Sequence, residues 1–256
     1  MSRLPALFVS HGAPTLVIED SPARSFLAGL GRQLGRPEAV VVLSAHWGTA
    51  RPMVGTAPAL ETIHDFYGFP EALYRVRYPA AGDPALAREV AGLLEGAGLD
   101  PARGLDHGAW APLLLMYPEA DIPVVPVSIQ PERDATHHYR LGEALRPLRD
   151  RNILVLASGA ASHNLGAYRQ QRPDDPVPAW LAAFTGWLAA SIAAGDTASL
   201  LDFERTAPGA AMNHPTTEHV LPLFAALGAG TPGVPGRQLY AGVEHGVIAM
   251  DAYGFD

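Results

Sequence analysis

The chain contains no cysteine and no lysine. Lack of cysteine excludes disulfides, thiolate metal sites and a cysteine nucleophile, so any metal must be held by nitrogen and oxygen donors. Lack of lysine means that all 18 basic residues are arginine, and no arginine-rich run occurs. Set against 26 acidic residues they leave a formal net charge of −8, which argues against a nucleic-acid partner. Long apolar runs are missing too. No stretch approaches about 18 consecutive apolar residues, and no charged N-terminal segment leads into an apolar one. The chain is therefore expected to be cytoplasmic, with no membrane association. No internal repeat or low-complexity tract appears.

What is present suits a well-filled core. Hydrophobic residues make up 48% of the 256 positions and charged residues 17%. Leu4–Pro14, LPALFVSHGAP, is a short apolar run that ends in Ser10-His11-Gly12 and turns at Ala13-Pro14. Val40–His46 repeats the design. Such runs read as strands buried on both faces of a sheet. In an open α/β sheet, ligands sit beyond the carboxyl ends of the strands, so two strands deliver an imidazole to one edge.

Further strands are expected at Arg51–Ala57, Ile122–Ile129 and Ile153–Ala157, and helices at Ser21–Leu34, Asp83–Ala97, Ala109–Tyr117, Asp134–Arg149 and Trp180–Ala194. Asp20 or Ser21 is the candidate cap of the first helix. Pro173–Pro178 reads as a connector. A helix opens around Asn213–His219 and runs through Leu227, with Thr216 or Thr217 as its cap. Arg237–Val243 and Gly246–Asp251 read as closing strands joined through Glu244-His245, and an antiparallel hairpin there would make the sheet mixed. The fold class that follows is α/β: a single domain over residues 1–256, with a central, mostly parallel mixed sheet flanked by helices on both faces.

The chain has ten histidines. His11, His46 and His163 each follow an apolar strand within a short turn. A histidine at one strand end is ordinarily structural or solvated; three on one sheet edge suggest a metal site. A third ligand must come from elsewhere, and His214, Glu218 and His219 are all candidates. Adjacent residues on a helix diverge by about 100°, so Glu218 and His219 would not both face one ion. Spacing does not choose among the three. His107 fits either a capping and packing role or one in substrate binding and proton transfer. His64 has Asp65 beside it to orient it, and Phe66, Tyr67 and Phe69 could wall an aromatic ligand or simply close a loop. His137 and His138 read as a solvated helix face, and His245 as a turn residue outside any site. Three nitrogen and oxygen ligands with open positions allow two chemistries: zinc-activated water for hydrolysis, or iron(II) that binds a substrate and O₂ together.

Six blocks carry a resemblance. They are Ser10-His11-Gly12-Ala13-Pro14, Ser44-Ala45-His46-Trp47, His64 through Pro70, Asp106-His107-Gly108-Ala109-Trp110, Ser158-Gly159 through His163-Asn164-Leu165, and Pro215-Thr216-Thr217-Glu218-His219. In this order, from Pro5 to about Gly228, they resemble the 4,5-DOPA extradiol dioxygenase family, within the class III extradiol ring-cleaving dioxygenases. The resemblance implies an enzyme that opens the ring of a catechol with O₂ to a muconic semialdehyde, which with DOPA cyclises to betalamic acid or muscaflavin-type pigments. It implies metal ligation by His11, His46 and His219, with Glu218 as the fallback because protocatechuate-type relatives use a glutamate there. It also implies His163 as the acid–base residue, with His107 and His64 in the substrate pocket. Iron(II) is the implied cofactor for activity, and zinc(II) can occupy the site in related isolated proteins. A small catechol and O₂ are the expected partners. A zinc hydrolase on the same sheet edge, or a non-catalytic metal-binding relative, is the alternative.

Overall fold

The computed structural model describes residues 3–168 and 176–256. Ten strands run through it: β1 (Ala6–Ser10), β2 (Ala39–Gly48), β3 (Met53–Gly55), β4 (Gly98–Asp100), β5 (Val124–Ile129), β6 (Ile153–Gly159), β7 (Arg237–Tyr240), β8 (Val243–Glu244), β9 (Ile248–Ala249) and β10 (Ala252–Phe255). Eight form one sheet in the order β4-β3-β5-β2-β6-β1-β10-β7. Its centre, β5-β2-β6-β1, is parallel throughout. β3 joins β5 antiparallel, and β10 lies antiparallel to both β1 and β7, so the sheet is mixed with a parallel heart.

The apolar runs explain the layers. Alternate side chains of a strand face opposite sides of the sheet. Phe8, Val41, Leu43 and Val155 point into one core, shared with helices Pro84–Leu93, Ala135–Leu145, Ala179–Ala194 and Leu221–Ala229. Leu7, Val9, Val40, Val42 and Leu156 point into the other, covered by helices Pro22–Leu34 and His107–Met116. Burying each such side chain contributes about 1.5–3 kcal/mol, which is why the central strands tolerate no polar alternation. The polar interruptions Ser10, Ser44 and Ser158 come only where the strands approach the carboxyl edge. Among the described residues, no helix is long and apolar enough to cross a membrane.

Element boundaries shift for identifiable reasons. Ser21 caps the first helix, accepting from the Arg24 N–H. Helix Pro84–Leu93 stops before Ala97, and the chain turns at Gly96 with φ +69° into β4. Helix Ala135–Leu145 passes into a 3₁₀ turn at Arg146-Pro147, where proline removes a helical donor. The helix expected to open around Asn213 is two pieces, Ala210–Asn213 and Leu221–Ala229, with a non-helical turn between. Pro215 excludes helical backbone at His214, whose φ and ψ are −130° and 81°. Thr216 and Thr217 therefore cap nothing. The two closing strands are corrected as well. β8 and β9 make a separate small hairpin through His245 (φ +50°) and Gly246 (φ +73°), while the closing partner of β1 is β10, which was not expected. Residues 173–175 of the expected connector lie outside the described residues.

Candidate metal centre and active site

The carboxyl edge of the sheet gathers the histidines. His11 follows the last residue of β1, and its N–H donates to the Gly159 carbonyl at 3.0 Å. The chain then turns at Gly12, where φ is +61° and a Cβ would stand 2.8 Å from the Met250 methyl, so a side chain there would be strained and would have to displace that methyl. His46 lies within β2. His219 sits in the turn before helix Leu221–Ala229, with its backbone pressed on the end of β6. A Cβ on Gly159 would come within 2.1 Å of the His219 carbonyl oxygen, and the Ala160 N–H donates to that oxygen at 2.9 Å.

The three rings aim at one point. Nε2 of His46 is 3.1 Å from Nε2 of His11 and 3.3 Å from Nε2 of His219. The opposite nitrogens fix the tautomers. Ser158 Oγ donates to the Gly108 carbonyl, so it accepts from His11 Nδ1–H at 3.0 Å. Asp65 Oδ2 faces His46 Nδ1 at 3.4 Å, and Glu218 Oε1 accepts from His219 Nδ1 at 2.8 Å. Each ring thus keeps its proton on Nδ1 and turns an Nε2 lone pair inward. Burial, reinforced by the neighbouring imidazoles, pushes the pKa of His11 and His219 well below the usual histidine value. Burial and His107 push His46 down to about 3 despite Asp65. The rings are neutral, and three unprotonated nitrogens converge with no hydrogen between them. That arrangement repels itself unless a cation sits among the lone pairs. Nitrogens on one zinc at about 2.0–2.1 Å stand about 2.9 Å apart at a right angle and about 3.4 Å apart at the tetrahedral angle, which brackets the spacing here.

Two other groups bring candidate ligand atoms within 4.8 Å of one another: His46, Asp65 and His107, and His163, Glu218 and His219. Both are hydrogen-bonded networks. Asp65 accepts from the His107 N–H at 2.8 Å and from its Nδ1 at 3.0 Å, and Glu218 accepts from His219 and from Thr216 Oγ1 at 3.0 Å. Burial alone would raise the Asp65 pKa, but the His107 hydrogen bonds and the nearby rings hold it at about 2. Asp65 is therefore a carboxylate that can only accept, so the hydrogen between it and His107 is on Nδ1.

These rings form one end of a cavity of about 360 Å³ whose lining includes His11, His46, His107, His163 and His219, with Phe66 and Phe69 among its apolar walls. The His107 ring centroid is 4.0 Å from that of His46. The His163 ring lies parallel to that of His219, centroids 3.4 Å apart. Its Nδ1 is 4.0 Å from Glu218 Oε1. Burial lowers the His163 pKa, Glu218 opposes that, and His107 adds to it. The cavity thus offers a cation site, an aromatic-sized slot and two further imidazoles.

Of the expected site residues, five meet in the cavity and one does not. His64 does not line it: Nε2 is 3.1 Å from the Val76 carbonyl and the ring packs among Phe66, Tyr74 and Trp110. Asp65, expected to orient His64, orients His107 instead. His138, expected on a solvated face, is fully buried, its Nδ1 donating to the Asp134 carbonyl at 2.9 Å and its Nε2 accepting from the Gln130 N–H at 3.2 Å. His245, left out of the site, lines the cavity. The supporting Ser158 was not anticipated. Its only signal is a hydroxyl residue closing an otherwise apolar strand.

Residues 5–241 match the family described as the catalytic LigB subunit of aromatic ring-opening dioxygenase. The chain is 41% identical to the 4,5-DOPA dioxygenase extradiol of Beta vulgaris over 97% of its own length and 95% of that protein's. It is 40% identical to the 4,5-DOPA dioxygenase extradiol of Escherichia coli K12, over 97% and 93% of the two lengths. The crystal structure of an uncharacterized Escherichia coli K12 protein superposes with a TM-score of 0.83 at 34% identity, covering 99% of this chain and all of that one.

Proposed function

The chain belongs to the family of the catalytic LigB subunit of aromatic ring-opening dioxygenases, and on that premise we propose a catechol substrate, a muconic semialdehyde product and an iron(II) cofactor. It is an extradiol ring-opening enzyme. His11, His46 and His219 would hold the metal through Nε2. The observation that carries this reading is the convergence of their three lone pairs, each fixed by an acceptor on the far side of its ring. Iron(II) held there would bind a catechol together with O₂ and would favour the ionised catechol.

This chain's own residues supply the rest. Phe66 and Phe69 confine a flat ring between the histidines and the cavity mouth. His163, close to the ligand ring of His219, takes a proton from one catechol hydroxyl and returns it later; burial lowers its pKa, so the neutral ring is available as the base. His107 presents its Nε2 edge to the second hydroxyl, with Asp65 holding the ring from behind through Nδ1–H. The buried floor keeps bulk water from the reacting oxygens.

The test is anaerobic loading with iron(II) or zinc(II), followed by O₂-electrode and absorbance measurements on DOPA, caffeate and simple catechols. Iron-loaded protein should consume one O₂ per catechol and form a yellow semialdehyde, and zinc-loaded protein should not. No O₂ uptake with any catechol would overturn the reading.

A further inference from the structure

One buried histidine beside the centre has no role in that scheme. His214 is 4% exposed, and its ring meets those of Phe184 and Phe203 edge-on. Its Nε2 is 3.0 Å from the Ala161 carbonyl, which can only accept, so Nε2 carries the hydrogen. Nε2 is thus committed and cannot face a metal. Nδ1 is buried with no partner among the described residues, and so are Oδ1 of Asn213, its neighbour in sequence, and Ser162 Oγ on the other segment. Unpartnered buried polar atoms are costly, and finding three on two facing segments marks a place where apolar packing has not been allowed to prevail.

Those two segments carry the chemistry. Residues 160–164 include His163; residues 212–219 end in His219. Four hydrogen bonds to oxygen stitch them together, beside a weaker one from Asn164 Nδ2 to Met212 Sδ at 3.6 Å. Ala160 N–H donates to His219 O at 2.9 Å, His214 Nε2–H to Ala161 O at 3.0 Å, His163 N–H to Asn213 O at 2.9 Å and Asn164 Nδ2 to Met212 O at 2.7 Å. The His214 tether is the one side-chain bond from the second segment into the residues between β6 and His163. Pro215 holds the His214 backbone out of the helical region, which lets this ring reach back across the seam.

We propose that His214 is a positioning residue for His163: its bond to Ala161 keeps the His163 loop in register with His219, so that the acid–base ring lies parallel to the ligand ring. The catalytic half of this proposal rests on the ring-opening reading; the tether itself does not. His214→Phe keeps the ring shape against Phe184 and Phe203 but removes the donor. His214→Gln places an amide N–H where Nε2–H was.

Hydrogen exchange of the backbone amides reads the tether directly. In His214→Phe, amides 160–164 should exchange about tenfold faster or more while those of β1 and β2 do not change. In the same variant kcat on a catechol should fall about tenfold or more, with KM and bound metal within about twofold of the parent. His214→Gln should recover both. If the Phe variant does not fold, His214→Asn replaces it, since its shorter amide falls at the Nδ1 position and cannot reach Ala161. Unchanged exchange at 160–164, or faster exchange with kcat intact, would overturn the proposal, as would equal losses in the Phe and Gln variants. A parent enzyme that opens no catechol ring would sink the ring-opening reading, leaving the exchange measurement to judge the tether alone.

Discussion

Glu218→Gln tests the metal centre at its least obvious support. The Glu218 carboxylate accepts from His219 Nδ1 at 2.8 Å and from Thr216 Oγ1 at 3.0 Å, both on Oε1. Its charge, more than its shape, keeps the His219 hydrogen on Nδ1 and the lone pair on Nε2. A glutamine is nearly isosteric and can still turn its carbonyl toward Nδ1, but the neutral acceptor makes the imidazole a poorer donor to a cation. Loss of such a supporting partner typically lowers metal affinity about 10–100-fold, or about 1.4–2.7 kcal/mol. His219→Ala removes the proposed ligand outright and should abolish stoichiometric binding. The assay is competition for iron(II) or zinc(II) against a chromophoric chelator, run in parallel on both variants and the parent. Losing a ligand costs more metal binding than losing its support, so the order of the two losses is decisive. If Glu218→Gln lost the metal completely while His219→Ala kept it, the glutamate would be the third ligand and the tautomer argument would be wrong.

Three further outcomes follow from the same geometry. His163→Ala should retain metal and lose turnover by about 10²–10⁴-fold, the range for removing a general acid–base group; turnover within about threefold of the parent would refute its role. Gly159→Ala puts a Cβ 2.1 Å from the His219 carbonyl oxygen, so it should cost about 1–3 kcal/mol in urea unfolding and weaken metal binding too, and a stable variant with intact affinity would show that this contact does not position His219. Burial raises the pKa of Asp251, 3% exposed, from 3.8 to about 6, so the folded state holds this proton more tightly than the unfolded chain. Its contribution is present in full below about pH 4 and is lost as the pH rises through 6, a difference of up to about 3 kcal/mol. Asp251→Asn should therefore be more stable than the parent above pH 6 and comparable near pH 4 in chemical unfolding. A gap independent of pH would refute that assignment.

What the sequence discloses of this site depends on whether a residue acts along its own strand or across elements. His11 and His46 were legible because an apolar run that stops at a histidine states both a buried strand and the edge at which it ends. The central parallel strands were legible for the same reason. β10 was not: Ala252-Tyr253-Gly254-Phe255 is short and contains glycine, and only its place beside β1 makes it a strand. Pairing His64 with Asp65 failed for a definite reason. Thr62 bridges to Leu105 and the Ile63 N–H donates to the Leu105 carbonyl, so this chain is locally extended, and neighbours in extended chain face opposite sides. Asp65 therefore turns inward to His107 while His64 turns away. The same rule bears on the centre as a whole. Each inward ring needs an acceptor behind it, and those acceptors come from β6 for His11, from the loop after Thr62 for His46, and from the adjacent residue for His219. Only the last adjacency can be seen in a linear sequence, and there it suggests a competing ligand as readily as the support proposed above. The histidines point to a candidate cation site. The acceptors decide which nitrogen meets it, and they are set by tertiary contacts that no spacing encodes.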